Sequence, residues 1–482
     1  MKHKLIIYTI CLGLIGSGCE QDLVEKPLSF ISPANFFTSK DSFEAAANGL
    51  YAQLPALYGG EAEKPKELFA DYNDQPSATE NTLQIWQNNP GTTYWAFRNT
   101  WQGWYQMISN ANQLLEKLPA ASFLTDVDRK RLEGEAKALR GFAYFNLVQL
   151  FGDVPLRTQT VQSFDQVAIP RSPQKDIYAL IVADLITAEQ QLPETAAQGR
   201  VNKWVATALL AKVYLTMAGN PLNQTAFFKD ARDKAIAVIN SGKYSLIPDY
   251  GKVFHNSAYT SESIWEILYN GVVSGNDRQT ITYPGTGYSP ILLPTMAFVN
   301  SFPKGDRRKD WGIVTTTKDQ ADNTLRPYYN KYVDPEFVSQ NLTPTAVAGK
   351  LIYTTPIFRL AEMYLIAAEA ENELAGPTLA YSFINTIRER ARINKSDPTQ
   401  VPALAGLSKD QFREAVFNER RWELYAEDQA WFDLKRTNNF AKVQQARGDK
   451  LSVPIGNYNN TWLIPDFEIQ NNNIPQNPTY GK

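Results

Sequence analysis

The sequence predicts a mainly α-helical protein of tetratricopeptide-like helical hairpins, with an irregular, loop-rich second half containing a few short strands. Three observations predict it. Leu132, Ala136, Leu139, Ala143, Leu147 and Leu150 recur at steps of three and four, which places them on one helical face. Phe142, Phe145 and Val148 add a second apolar stripe, so this helix packs on two sides. A small residue, followed three places on by Tyr and then a large apolar residue, occurs three times: Gly141–Tyr144–Phe145, Ala211–Tyr214–Leu215 and Ala361–Tyr364–Leu365. Tyr144 and Tyr214 lie 70 residues apart, close to two tetratricopeptide periods of about 34 residues each. The small residue lets a neighbouring helix approach closely, and the Tyr fills the next turn. From Tyr244 to about residue 350, finally, the helical period lapses and Gly, Pro, Thr and Tyr take over.

Each element can be justified in order. Phe43, Ala46, Ala47 and Leu50 share a face of a helix that starts near Ser42. Residues 59–93 are rich in Gly, Pro, Asn and Asp and read as a long loop, of the kind that is often functional. Asp71-x-Asn73-x-Gln75 within it lacks the turn Gly and terminal Glu of a calcium loop. Tyr94 to Leu118 is an aromatic-loaded helix, with Trp101, Trp104 and Tyr105 as packing residues. Thr125 and Asp128 form a capping pattern that opens the central helix, and Gly152 and Pro155 end it. Ser172 is expected to cap the next helix with Pro173 at its first position. Asn202 caps another, and Thr225 to Asn240 forms a further one. Glu262 to Leu268 alternates like a strand. Helices are expected again from Ile357 to Leu374, from Pro377, and after the Ser408–Gln411 capping pattern. Beyond Asn438 the chain reads as extended tail.

The 482 residues carry 48 Lys and Arg against 50 Asp and Glu, a net charge of −2. This excludes an electrostatic footprint for nucleic acid. Lys2 and Lys4, the apolar run Leu5–Ile15 and the small residues before Cys19 form a secretory signal ending in a lipoprotein site. Cys19 is therefore expected to carry lipid. Removing residues 1–18 takes away Cys11 and His3, leaving Cys19 as the sole cysteine and His255 as the sole histidine. No disulfide, thiol nucleophile or cysteine-rich zinc site is possible. No Gly-x-Ser-x-Gly occurs, and His255 reads as a surface or capping residue. No cofactor and no metal are expected.

The order of these blocks resembles the SusD/RagB family of Bacteroidetes nutrient-binding lipoproteins. The resemblance runs from the signal ending at Cys19 through Glu135–Arg140, Phe151–Pro155, Glu262–Trp265 and Arg359–Leu365. It continues through Asn385–Arg388, Glu419–Arg420, Trp431–Arg436, Ile464–Pro465 and Gln476–Pro478. It implies four tetratricopeptide-like hairpins and an irregular part carrying ligand loops. It also implies a lipid-anchored protein at the cell surface, on the outer membrane, that lids a SusC-like TonB-dependent transporter. One domain, 19–482, is expected after the signal 1–18. It comprises a helical scaffold over about 40–245 and 357–436, an irregular ligand-loop module over about 246–356, and an extended tail, 437–482.

The expected function is capture of oligosaccharides and delivery to the transporter without catalysis. Alternatives are peptide capture or, less favoured, glycoside hydrolysis by two facing carboxylates. A sugar binder needs exposed aromatic faces fringed by Asn, Asp, Gln or Arg. Two loops offer that mixture. The first group is Asp71, Asp74, Trp86, Trp95 and Asn99; the second is Tyr283, Tyr288, Trp311 and Tyr329. Trp86 and Trp95 are expected to face Tyr288 or Trp311 across a shallow groove. The basic cluster Lys304, Arg307, Arg308 and Lys309 could meet an acidic glycan but reads rather as a solvated turn. Glu369, Arg388, Arg390, Glu419 and Arg420 read as structural ion pairs rather than catalytic groups.

Overall fold

The computed structural model describes residues 36–59, 64–74, 80–91, 93–269, 278–282, 290–318, 323–333 and 352–478. Cys19, Tyr283 and Tyr288 lie outside the described residues. The framework helices are α1 (Lys40–Tyr51), α2 (Trp95–Lys117), α3 (Asp126–Phe151), α4 (Gln174–Gln191) and α5 (Lys203–Ala218). They continue as α6 (Phe228–Asn240), α7 (Leu360–Ala375), α8 (Pro377–Ala391), α9 (Lys409–Leu424) and α10 (Ala430–Arg436). Each packs on the next from α1 through α8, and α9 packs on α7. The α6–α7 contact continues the stack although residues 241–359 intervene, so the irregular part is an insertion between two stacked helices.

The small-residue pattern works as expected at α3. A Cβ on Gly141 would sit 3.2 Å from Leu185 Cγ and 3.6 Å from the Ile181 carbonyl, both on α4. Ala211 and Ala361 are likewise buried. Tyr144 does more than fill a turn: its hydroxyl donates to the Arg157 carbonyl (2.8 Å) and accepts from the Arg157 N–H (2.6 Å). The helix caps at Thr125, Asn202 and Ser408 form with the expected partners. Ser172 does not cap α4. It belongs to a strand, and the Asp153 carboxylate accepts the Gln174 N–H (3.0 Å) instead. An ionised acceptor at a helix N-terminus is favoured over a hydroxyl by the helix dipole.

Short antiparallel pairs join distant segments. They are β1 (Asn73–Asp74) with β5 (Leu293–Pro294), β2 (Val154–Pro155) with β3 (Arg171–Ser172), β4 (Ser263–Ile267) with β8 (Thr355–Arg359), and β6 (Ile313–Val314) with β7 (Tyr328–Tyr329). Residues 355–359 are therefore strand, not the start of a helix, because they complete the ladder that closes the insertion. The region 59–93 is also not a plain loop: Lys64–Leu68 and Glu80–Trp86 are helical. The tail contains the helices Ala441–Arg447 and Asp466–Asn471. It is stitched down where Trp462 N–H donates to the Leu150 carbonyl (2.6 Å) and Asn477 Nδ2 to the Trp462 carbonyl (2.6 Å).

The Glu and Arg residues read as structural are ion-paired in the interior, Glu369 of α7 with Arg436 among them. Arg388 meets Glu419 at 2.6 Å, Arg420 meets Asp433 at 2.8 Å, and Arg390 reaches Glu262 (3.1 Å) and Glu423. Arg359 binds Glu262 (3.0 Å), Glu427 (2.8 Å) and Glu423. Arg308, read above as part of a solvated turn, is instead fully buried against Asp306 (2.7 Å), Glu419 (2.6 Å) and Glu423 (3.2 Å). Basic clusters look solvated in a sequence when acidic partners are remote; Asp306 stands two residues from Arg308, but Glu419 and Glu423 are more than a hundred residues away on α9. Burial alone would raise the Glu423 carboxyl, but Arg390, Arg359 and Arg308 outweigh it and hold the group well below the usual carboxylate range.

Two outcomes follow for stability. Leu147 is completely buried in α3, so Leu147→Ala should lower the unfolding free energy in urea by about 2 to 5 kcal/mol. A carboxylate with a depressed folded pKa contributes stability above its unfolded pKa and loses it as pH falls through the folded value. Glu423→Gln should therefore cost roughly 3 to 5 kcal/mol at neutral pH. Its deficit against wild type should shrink below about pH 4, where unfolded glutamate protonates; urea titrations at both pH values check the sign.

Candidate functional site

Among the described residues, those expected to bind ligand do not form one exposed surface. Trp86 is 8% exposed, its Nε1 donates to the Asn73 carbonyl (3.1 Å), and the Arg447 guanidinium lies 4.9 Å above its ring. Tyr329 is fully buried, stacks on Tyr425 at 5.3 Å and donates its hydroxyl to Asn73 Oδ1. Trp311 is half-buried and stacks on Phe254 at 5.9 Å. Asp71 pairs with Arg421 at 2.6 Å, and Asp74 is half-buried in β1. The expected platform of Trp86 against Trp311 is therefore corrected: both rings pack their segments onto the body. His255 is likewise packed, with its ring stacked on Tyr353 at 5.1 Å and Nε2 bonded to the Asn330 carbonyl at 2.7 Å.

Trp95 and Asn99 behave differently. Trp95 is 38% exposed and Asn99 is exposed, one turn apart at the start of α2. The same face continues through Gln102, Gln106 and Ser109, all exposed, at helical steps of three and four. The opposite face, with Phe97, Trp101, Trp104 and Ile108, is buried. Asn99, Gln102, Gln106 and Ser109 line a groove of about 790 Å³, within the range of small-ligand sites. Gln53 and Asn472 add two further amides. The segment 155–169 supplies Arg157, Val161, Val167 and Ile169, and edges of Trp101 and Tyr105 add to the lining.

The neighbouring elements hold this groove in shape. Tyr105 donates its hydroxyl to the Pro155 carbonyl (2.8 Å). Burial holds that hydroxyl protonated, far above the ordinary tyrosine range. Asn112 Nδ2 donates to the carbonyls of Arg157 (3.1 Å) and Gln159 (3.3 Å). Trp101 Nε1 donates to Glu468 Oε1 (3.0 Å), fixing the tail helix against α2. Chemically, the lining presents side-chain amides, each with two donors and an acceptor oxygen, beside aliphatic surface. Among the described residues Glu468 is the one carboxylate in the lining, so they do not assemble the two facing carboxylates of a glycosidase here. Among the described residues no group of three His, Cys, Asp or Glu is placed to hold a metal ion, and no helix is long and apolar enough to cross a membrane.

Sequence reasoning missed Gln53, Gln102, Gln106 and Asn472, and it set Trp101 and Tyr105 aside as packing. A signal for the α2 face was present: no charged residue stands between Arg98 and Glu116. Exposed helical faces ordinarily carry charge.

A family model described as the SusD family matches residues 187–480, and one described as starch-binding associating with outer membrane matches residues 31–215. The chain belongs to the SusD family. The SusD-like protein P2 of Formosa agariphila is 28% identical over 99% of this chain and all of that protein. The starch-binding protein SusD of Bacteroides thetaiotaomicron is 25% identical over 85% of each chain. A solved SusD superfamily structure from Parabacteroides distasonis superposes with a TM-score of 0.82 at 25% identity, covering 92% of this chain and all of that one. The mainly helical fold expected from the sequence is thus the SusD fold, and the family is one of glycan-binding proteins.

The two tryptophans separate packing from exposure in a test on this SusD-family chain. Trp86→Ala should cost about 3 to 5 kcal/mol in urea unfolding. Trp95→Ala should stay within roughly 1 kcal/mol of wild type, as exposed substitutions do.

Proposed function

We propose that this protein captures oligosaccharides at the cell surface in the α2 groove and hands them, uncleaved, to a SusC-like TonB-dependent outer-membrane transporter. The observation that carries the ligand assignment is the uncharged amide face of α2 opening into a cavity of about 790 Å³. Sugars expose vicinal hydroxyls that accept and donate at once, and an amide matches both roles. Trp95, beside Asn99, offers an exposed ring for a sugar face. From the sequence-derived set the proposal keeps Trp95 and Asn99, and it adds Gln53, Gln102 and Gln106. The starch-binding relative and the outer-membrane family description support the same reading.

In this reading the signal 1–18 is removed, lipid on Cys19 anchors the mature domain, and the stacked helices offer the transporter an extended rigid surface. Nothing in the groove needs to transfer a proton, so binding should be flat from pH 6 to 8. Calorimetric titration of oligosaccharide and peptide panels into wild type and into a Gln102→Ala, Gln106→Ala double variant tests the site. Loss of two central contacts should weaken the ligand by about 2 kcal/mol or more, roughly thirtyfold. Equal affinity of wild type and variant would reject this site, peptide binding alone would replace the ligand class, and shortening of the glycan by pure protein would replace the mechanism. Cys19→Ala should release the protein in soluble form from cells lacking the transporter.

A further inference from the structure

We propose that the α2 groove selects uncharged oligosaccharides, with Arg157 acting as a positioning residue that holds an apolar strap against them. The inference rests on the glycan-capture reading and deepens it. Two charged residues line the groove, Arg157 and Glu468, and both already have partners. Arg157 Nη1 donates to the Gln166 carbonyl (2.9 Å), and Nη2 donates to the Val167 carbonyl. Glu468 is 8% exposed; one oxygen accepts from Trp101 Nε1 at 3.0 Å and the other from Asn472 Nδ2.

The charges nearby are also engaged. Glu116 accepts from the Thr160 N–H and hydroxyl, each at 2.6 Å, and the Arg98 guanidinium lies 5.1 Å above the Phe467 ring. Arg157 is the cation of the lining, and a uronate or sulfated sugar could reach it only by drawing its guanidinium from the Gln166 and Val167 carbonyls, giving up the strap and losing its own hydration. A cationic sugar would find no available carboxylate in the lining. A neutral chain loses only hydroxyl hydration, and the amides replace it.

The second half of the inference is the strap. Residues 156–170 leave β2 and return in β3, so both ends are pinned by one strand pair. Between them Phe164 stands 91% exposed, with Val161 at 45% and Val167 at 36%. Three large apolar side chains on one short exposed segment are unusual for a surface with no partner. Two of its residues, Val161 and Val167, already line the groove. The Arg157 guanidinium grips the carbonyls of Gln166 and Val167, at the end of the turn that displays Phe164 (Phe164–Gln166). The strap therefore offers C–H surface to sugar faces, while α2 offers amides to the hydroxyl edges. Arg157 sets the strap's position and does not serve as an anion anchor.

The test titrates two sets of hexasaccharides, a neutral set (gluco-, xylo- and manno-linked) and an acidic set (galacturonate and mannuronate), at low and high salt. At least one neutral hexasaccharide should bind, with affinity changing less than twofold between 20 and 500 mM salt, as expected where no exposed charge pair forms (about 21 to 4 Å screening length over that range). Every acidic one should bind at least roughly tenfold more weakly. Phe164→Ala should weaken the neutral ligand several-fold with unfolding unchanged. Arg157→Lys, which keeps the charge but loses the fork, should weaken it as much as Arg157→Gln does. Tight acidic binding that falls with salt and with Arg157→Gln but survives Arg157→Lys would overturn the inference and leave glycan capture standing. Binding of neither set would overturn both.

Discussion

Glu423, on α9, is the carboxylate through which the second half of the molecule is held to the helical stack. It receives Arg308 and Arg359 from the insertion and Arg390 from α8, all out of water. Charges buried this deeply are tolerated only when every member has a partner, and removing one leaves the others uncompensated. Among its described residues, the insertion between α6 and α7 has short strands and helices. Its position is set by arginines that fit carboxylates on the scaffold in directed, two-pronged geometry. Glu262 at the entry of β4 and Arg359 at the end of β8 meet at 3.0 Å, so the same network also closes the neck of the insertion.

That arrangement explains where the aromatics went. Segments without long helices must bury themselves with large side chains. Tyr72 stacks on Phe298 at 4.6 Å, and Tyr329 on Tyr425 at 5.3 Å. Trp86 is held between Asn73 and Arg447. Aromatics in polar loops look like sugar platforms in a sequence, yet here they are the loops' own core. The ligand-sized groove lies on the scaffold instead, along α2, where rigid helix geometry spaces the amides by turns. Its other side is a strap tied down at Tyr105, Asn112 and Arg157. A rigid comb of amides facing a short apolar strap suits the reversible capture proposed above.

The sequence by itself determined the helical class, the small-residue contact at Gly141 and the caps at Thr125, Asn202 and Ser408. It also determined the structural role of Glu369, Arg388, Arg390, Glu419 and Arg420. Each depends on residues within a few turns, or on a chemical rule about where charge sits on a packed helix. Nothing local set the exposed Trp95 and Asn99 apart from the packed Trp86 and Trp311. Only the tertiary structure decided that Asp153, not Ser172, caps α4, that Arg308 is interior, and that Trp86, Trp311 and Tyr329 are packing residues. It alone brought Gln53, the 156–170 strap and Asn472 to one face of α2. Those outcomes turn on partners remote in the chain, and whether a side chain is buried or presented is settled by what packs over it, which local spacing does not encode.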